Sequence, residues 1–343
     1  MVAALGIVLD PENNEMKVFG GVETKMEAKN VADDSKFHMD DILSLDISSD
    51  KKLVVTGQVG KSPSVHVWDS ETMESKCMFK LKEGSRGVAA LAISPCQRYV
   101  AAVDLHNDHH VIIHNIKKNK QLLTIEGSKD LIMNVAWSKK VDDLRFCTLG
   151  VKELKFWNPA DATKRLFVKA TFGSASKMTN FNCVTFDTEG YAYSAGANGQ
   201  IALWDVNGVL EKSIKAHSNE VSSLVHESGK LITGGKDNKV CIFSAAGGEC
   251  KLEKTIDLGE ASFPRGIDYM NGKILVGLRS GSIYEITESD ESKKLIMASH
   301  HEGEAWGLEI VPSGNALFTI GDDNKILEFD YENKRFVRKG IIA

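Results

Sequence analysis

Four short segments of this chain read as one phrase: residues 65–69 (VHVWD), 154–158 (LKFWN), 201–205 (IALWD) and 326–330 (ILEFD). Each is a short apolar stretch that closes on an aromatic residue and then Asp or Asn. Side chains that alternate at period two describe a strand with one buried face, and a terminal Asx starts a turn by bonding its own backbone. Three weaker copies fill the gaps, at 111–115 (VIIHN), 240–244 (VCIFS) and 282–286 (SIYEI). The aromatic slot then runs Trp68, His114, Trp157, Trp204, Phe243, Tyr284, Phe329, in steps of 46, 43, 47, 39, 41 and 45 residues. A period this regular makes each copy one supersecondary unit that must bury its faces against its neighbours.

The rest of each unit has the same grammar. A strand ending in small residues and Gly precedes the aromatic strand, as at 53–57 (LVVTG), 231–235 (LITGG) and 317–321 (LFTIG). Between the two lie Asn198-Gly199, Asp237-Asn238, Ser280-Gly281 and Asp323-Asn324, residue types that tolerate positive φ in a tight hairpin. Another strand opens each unit, as at 42–47 (ILSLDI) and 88–93 (VAALAI), and a more polar one follows the aromatic strand, as at 121–125 (QLLTI). Four strands, seven times, with no long helical periodicity, predict an all-β chain: a seven-bladed WD-repeat β-propeller with four antiparallel strands per blade. We assign residues 38–343 to the propeller and 1–37 to N-terminal strands. Propellers close by sharing strands between chain ends, so residues 16–19 (MKVF) are expected to pair beside 335–338 (RFVR).

Composition excludes several classes. The chain has 343 residues, 42% hydrophobic and 26% charged, with 42 basic against 47 acidic groups and a net charge of −5. No whole-molecule field draws it to nucleic acid or to an anionic membrane. The apolar run 2–9 is too short to span a bilayer and has no basic flank, so no secretory leader is expected. Six cysteines without a Cys-x-x-Cys pair, and the absence of an Asn-x-Ser/Thr sequon, fit a reducing cytoplasm. Cys77, Cys147, Cys183 and Cys241 are read as small buried hydrophobes.

Catalytic and cofactor motifs fail on detail. Residues 57–62 (GQVGKS) suggest a phosphate loop, but Val55 stands where that loop needs its first Gly. His217, Thr233 and Asp237, and likewise His301, Thr319 and Asp323, have catalytic residue types without a nucleophile elbow or oxyanion hole. The run 106–110 (HNDHH) with His114 has metal-ligand chemistry. A hairpin loop solvates such residues by default, so no metal, cofactor or catalytic residue is assigned. Metal or small-molecule binding through the 106–110 loop is the rival to a scaffold role.

The landmarks 38–45 (HMDDILSL), 56–60 (TGQVG), 65–69 (VHVWD), 86–88 (RGV), 155–157 (KFW), 215–217 (KAH), 234–237 (GGKD), 274–277 (ILVG) and 302–307 (EGEAWG) run in order along nearly the whole chain. Together they resemble the first propeller of the echinoderm microtubule-associated protein-like (EML) family. Residues 3–8 (AALGIV) look like the tail of that family's hydrophobic HELP motif. The resemblance implies a non-catalytic scaffold and places it in the cytoplasm on the cytoskeleton, including cilia or flagella. Its implied partners are tubulin or microtubules and a second propeller packed on the first. A scaffold in a ciliary or other assembly without tubulin contact is the alternative. It also implies that His217, Asp237, His301, Asp323, Trp68, Trp157 and Trp204 hold blades together through buried hydrogen bonds. Phe243 and Phe329 lack the donor that Trp supplies.

Partner-binding candidates come from propeller geometry. Residues just before each inner strand ring one mouth of the channel: Asp40, Asp41, Arg86, Asp130, Asn180, Asn219, Glu220, Arg265 and Glu304, with Trp306 close by. Arg and Trp are over-represented at interface hot spots, which singles out Arg86, Arg265 and Trp306, with Asp41 and Glu220 beside them; the alternative for Trp306 is to pack between blades. The basic turn Lys117, Lys118 and Lys120 offers charge to an acidic surface such as that of tubulin.

Overall fold

A computed structural model describes residues 4–13, 15–20, 37–140, 142–151, 153–159, 166–172, 180–259, 262–298, 301, 304–311, 314–330, 332 and 335–341. Among these are thirty strands, numbered β1–β30 in chain order, and no α-helix. They form seven four-stranded antiparallel sheets, each from consecutive strands, and one two-stranded sheet. The first sheet is β3 (Ile42–Ile47), β4 (Leu53–Gln58), β5 (Ser64–Asp69) and β6 (Ser75–Lys80). The inner strands of the next six are β7 (Val88–Ile93), β11 (Ile132–Trp137), β15 (Phe181–Phe186), β19 (Val221–Glu227), β23 (Pro264–Met270) and β27 (Ala305–Ile310).

From the first sheet to the sixth, apolar residues of each sheet interlock with those of the next. Val55, Val65 and Val67 meet Val88 and Leu91 between the first two sheets. Val111 and Ile113 meet Trp137 and Phe146 at the second joint, and Leu149 meets Phe181 and Trp204 at the third. Tyr193 and Leu203 meet Leu231 and Phe243, and Ile242 meets Tyr269 and Ile274. Five such joints carry the core through six sheets. The seventh sheet is different: Trp306, Leu308 and Ile310 of β27 are 69%, 66% and 43% exposed. Leu43 and Leu45 on the first sheet and Met270 and Leu275 on the sixth are also exposed. An ion pair of 3.0 Å between Lys51 and Asp268 links the first sheet to the sixth.

The expected ring-closing strand has another partner. Residues 16–19 lie in β2 (Glu15–Phe19), which pairs with β1 (Gly6–Asp10), whereas β30 (Arg335–Ile341) pairs with β29 (Lys325–Asp330) inside its own sheet. Shape decides the hairpin's place. Phe19 is fully buried and its ring stacks on Trp68, with centroids 4.7 Å apart and planes 3° from parallel. The hairpin thereby covers Val54 and Trp68, on the face of the first sheet that turns away from the second.

Tight turns follow local chemistry. Gly199 has φ +70°, and a Cβ there would lie 2.3 Å from the His217 carbonyl oxygen, so only Gly fits. Asn238 and Asn324 take φ of 62° and 55° at the matching turns. One device was invisible in the sequence: every inner strand bulges at its second residue, which leaves Leu43, Ala89, Met133, Asn182, Ser222, Arg265 and Trp306 unpaired. Such bulges re-aim a side chain at the rim of a sheet.

Candidate functional site

Antiparallel order fixes which residues share an end of the channel. The segment before each inner strand and the hairpin between the second and third strands lie at one mouth. The turns between the first two strands, and between the last two, lie at the other. Arg86 and Asp41 are exposed at the first mouth, and Arg86 reaches Asn107 Oδ1 at 3.5 Å. Lys117, Lys118 and Lys120 are exposed at the second. The eight candidates therefore split between two faces and form no single site.

Three candidates differ in setting from what the sequence suggests. Arg265 is not a loop residue, and it and Trp306 occupy the inner-strand bulge of the sixth and seventh sheets. In the fourth and fifth sheets that position stitches blades: Asn182 donates to Glu220 Oε1 at 2.6 Å, and Ser222 Oγ donates to the Pro264 carbonyl at 2.5 Å. Arg265 and Trp306 are instead exposed, and Trp306 Nε1–H donates to Asp322. Glu220 is engaged, paired with Lys236 at 2.7 Å.

The blade residues bond in part-networks. In the first sheet Trp68 Nε1–H donates to Thr56 Oγ1 at 3.1 Å, Thr56 lies 2.7 Å from His38 Nε2, and His38 Nδ1 lies 2.8 Å from Gln58 Oε1. Trp157 donates to Thr148 and Trp204 to Ser194, each at 2.8 Å. His217 bridges Thr233 and Asp237, both at 2.8 Å, and His301 bridges Thr319 and Asp323 at 2.9 and 2.7 Å. Burial lowers the His217 pKa; for Asp237 the Ser218 amide and the imidazole outweigh burial and lower it. These groups are spent on each other and offer no nucleophile. Trp204→Phe is expected to cost about 1–3 kcal/mol in denaturant unfolding, because it strands the buried Ser194 hydroxyl; a change within 0.3 kcal/mol (about the error of such a measurement) would show that the bond is idle.

His114 sits in the aromatic slot and stacks on Phe79 at 4.0 Å. Burial pushes the Cys77 thiol up to about 11 and the Cys183 thiol up to about 12, as inert packing thiols require. The second mouth narrows onto charge: Lys139 Nζ bonds the His226 carbonyl and lies 3.7 Å from Glu227, with Asp46 accepting the Ile93 amide at 2.8 Å. At the first mouth a groove of about 500 Å³ between the second and third sheets is lined by Asp108, Glu126, Asp130, Glu153, Lys155 and Lys169. Asp108, with His106 and His110, makes the one group among the described residues with metal-ligand chemistry in reach of one another.

Serial four-stranded sheets with a His–Thr–Trp/Asp bonding scheme define a WD-repeat β-propeller. The family model described as the echinoderm microtubule-associated protein first beta-propeller matches residues 36–265, and the chain belongs to that EML family. It is 41% identical over 334 residues to a ciliary WD repeat-containing protein, ctxp80, of Euplotoides octocarinatus, covering 97% of this chain and 46% of the relative. It is 27% identical to the 77 kDa echinoderm microtubule-associated protein of Strongylocentrotus purpuratus, covering 87% of this chain and 44% of that one. The chain thus spans less than half the length of these relatives. Among solved structures, the computationally designed Ika8 protein superposes with a TM-score of 0.57 at 17% identity over 88% of this chain and 87% of that one, a likeness of fold alone.

Proposed function

We propose that this propeller is a non-catalytic scaffold of the cytoskeleton or cilium whose first mouth engages tubulin or microtubules. The observation that carries the reading is the pair of bulge positions in the sixth and seventh sheets, where Arg265 and Trp306 are exposed while the same position stitches blades in the fourth and fifth. An exposed Trp and Arg at one rim, with Arg86 at the same mouth, have the composition of an interface hot spot. The names of the EML relatives support the partner class. The first, sixth and seventh sheets also leave Leu43, Leu45, Leu275, Leu308 and Ile310 exposed, so we infer that the seventh sheet seats between the other two as the closing blade, with the bulged Arg265 and Trp306 kept at the rim. A second propeller, as the resemblance implies, is a further partner within a longer chain.

The test is co-sedimentation of residues 1–343 with taxol-stabilised microtubules, beside gel filtration with unpolymerised tubulin. Trp306→Ala or Arg265→Ala should weaken binding about tenfold or more, and Lys117→Ala on the opposite face should not. Binding lost with Lys117→Ala and kept with the other two would move the site to the second mouth. No binding in either format would favour the second reading, a ciliary assembly without tubulin contact, to which the ciliary relative points.

A further inference from the structure

We propose that the hairpin loop of the second sheet is a binding site for one zinc-type divalent cation, held by His106, Asp108 and His110. The loop joins β8 (Tyr99–Asp104) to β9 (His110–Asn115) at the first mouth. Its shape is set by Asp104, which is fully buried. One carboxylate oxygen accepts the amides of His106 and His110 at 3.2 and 2.7 Å, and the other lies 3.0 Å from His110 Nδ1. Held at both ends by a single carboxylate, the loop closes on itself: the His109 amide donates to the His106 carbonyl at 3.1 Å, and His109 takes φ of 41°. Its ring turns away to the Ser128 carbonyl, at 3.1 Å.

That arrangement prepares ligand atoms. A His whose Nδ1–H donates to a carboxylate keeps its lone pair on Nε2, the arrangement by which buried carboxylates orient metal-binding imidazoles. The His106 and His110 rings lie 4.8 Å apart at their centroids, and Asp108 Oδ2 is 3.6 Å from His106 Nδ1. One ligand atom from each of the three residues falls within 4.8 Å of the others. Without an ion, the Lys82 ammonium occupies that lone pair, 3.2 Å from His110 Nε2. Lys82 is exposed on a flexible stem, so a divalent ion can displace it.

Two imidazoles and one carboxylate suit zinc rather than magnesium or calcium, which demand oxygen ligands, and three protein ligands leave a position open. Of the three residues, Asp108 also lines the groove of about 500 Å³ at this mouth. The site would tie the mouth loop of the second sheet to an exogenous ion, independently of whether that mouth binds tubulin.

Tag-free protein, stripped with chelator, is titrated calorimetrically with ZnCl2, and separately with CoCl2 while visible absorption is read. One saturable equivalent of zinc, cobalt bands of an imidazole-bearing low-symmetry site, and no response to MgCl2 are expected. His106→Ala and Asp108→Asn, both on the accessible part of the loop, should each weaken zinc binding about tenfold or more. Lys82→Met, which removes the competing ammonium, should strengthen it. Absence of saturable binding in the wild type, or zinc binding that survives both substitutions unchanged, would overturn the proposal.

Discussion

Phe19→Ala is expected to lower the unfolding free energy by about 3–5 kcal/mol, the cost of removing a large buried aromatic side chain. Phe19 is fully buried, stacks on Trp68, and packs edge-on against Phe37 and His38 at 5.7 and 6.5 Å. Gly6, the cross-strand partner of Phe19, leaves no more room, since a Cβ there would come within 2.7 Å of the indole. The hairpin β1–β2 is therefore part of the propeller core rather than an appendage. Equilibrium denaturation, followed through tryptophan emission, measures the effect, and emission in the folded state should shift to the red as Trp68 meets water. A loss below about 1 kcal/mol, within the range of ordinary surface changes, would mean that the hairpin does not hold the first sheet.

Acid should destabilise the protein well before its carboxylates titrate. Burial, partly offset by the bond to Gln58, lowers the His38 pKa to about 4, against 6.5 for an ordinary imidazole. The folded state keeps this ring neutral while the unfolded chain charges it. Stability from this group is thus complete above pH 6.5 and falls as pH drops towards 4, by about 1.4 kcal/mol per unit and about 3 kcal/mol in all. Burial lowers His114, His217 and His226 as well, which adds in the same direction. Melting temperature recorded from pH 7.5 to 4.5 should fall steeply below 6.5. In His38→Gln the curve starts lower but should be flatter by close to one proton, and parallel curves would show that His38 does not titrate as its burial demands. Phe19→Ala, by wetting the same ring, should also flatten the slope.

The repeat was legible because it is written in local chemistry. An aromatic residue before Asp or Asn, and Gly, Asn or Asp in the hairpins, need no knowledge of distant neighbours, and they gave the fold class and the EML resemblance. What depends on pairing across the chain was not legible. Residues 16–19 have a strand's alternation whichever partner they take, and only the fit of Phe19 on Trp68 chooses β1 and the first sheet. The bulge at Arg265 and Trp306 leaves no mark in one unit, although all seven units carry it. Lys117, Lys118 and Lys120 share a charge sign with Arg86, but strand direction puts them at the other mouth. The spacing of the 106–110 loop contains no sign that Asp104 is buried and binds both its ends.

The unequal joints of the disc have a mechanical meaning. Between consecutive sheets from the first to the sixth, separation must peel a shared apolar core. Between the sixth and the first, among the described residues, stands the Lys51–Asp268 pair, whose side chains are 40% and 48% exposed and which is worth under about 1 kcal/mol. The β1–β2 hairpin lies on one side of that gap, and the seventh sheet is the blade proposed to fill it. Tension transmitted through these two elements therefore loads the seam and not the five strong joints. Under such a pull the disc opens as a split ring does, with the seventh sheet as its clasp and the six-sheet arc still intact as the spring that draws it shut.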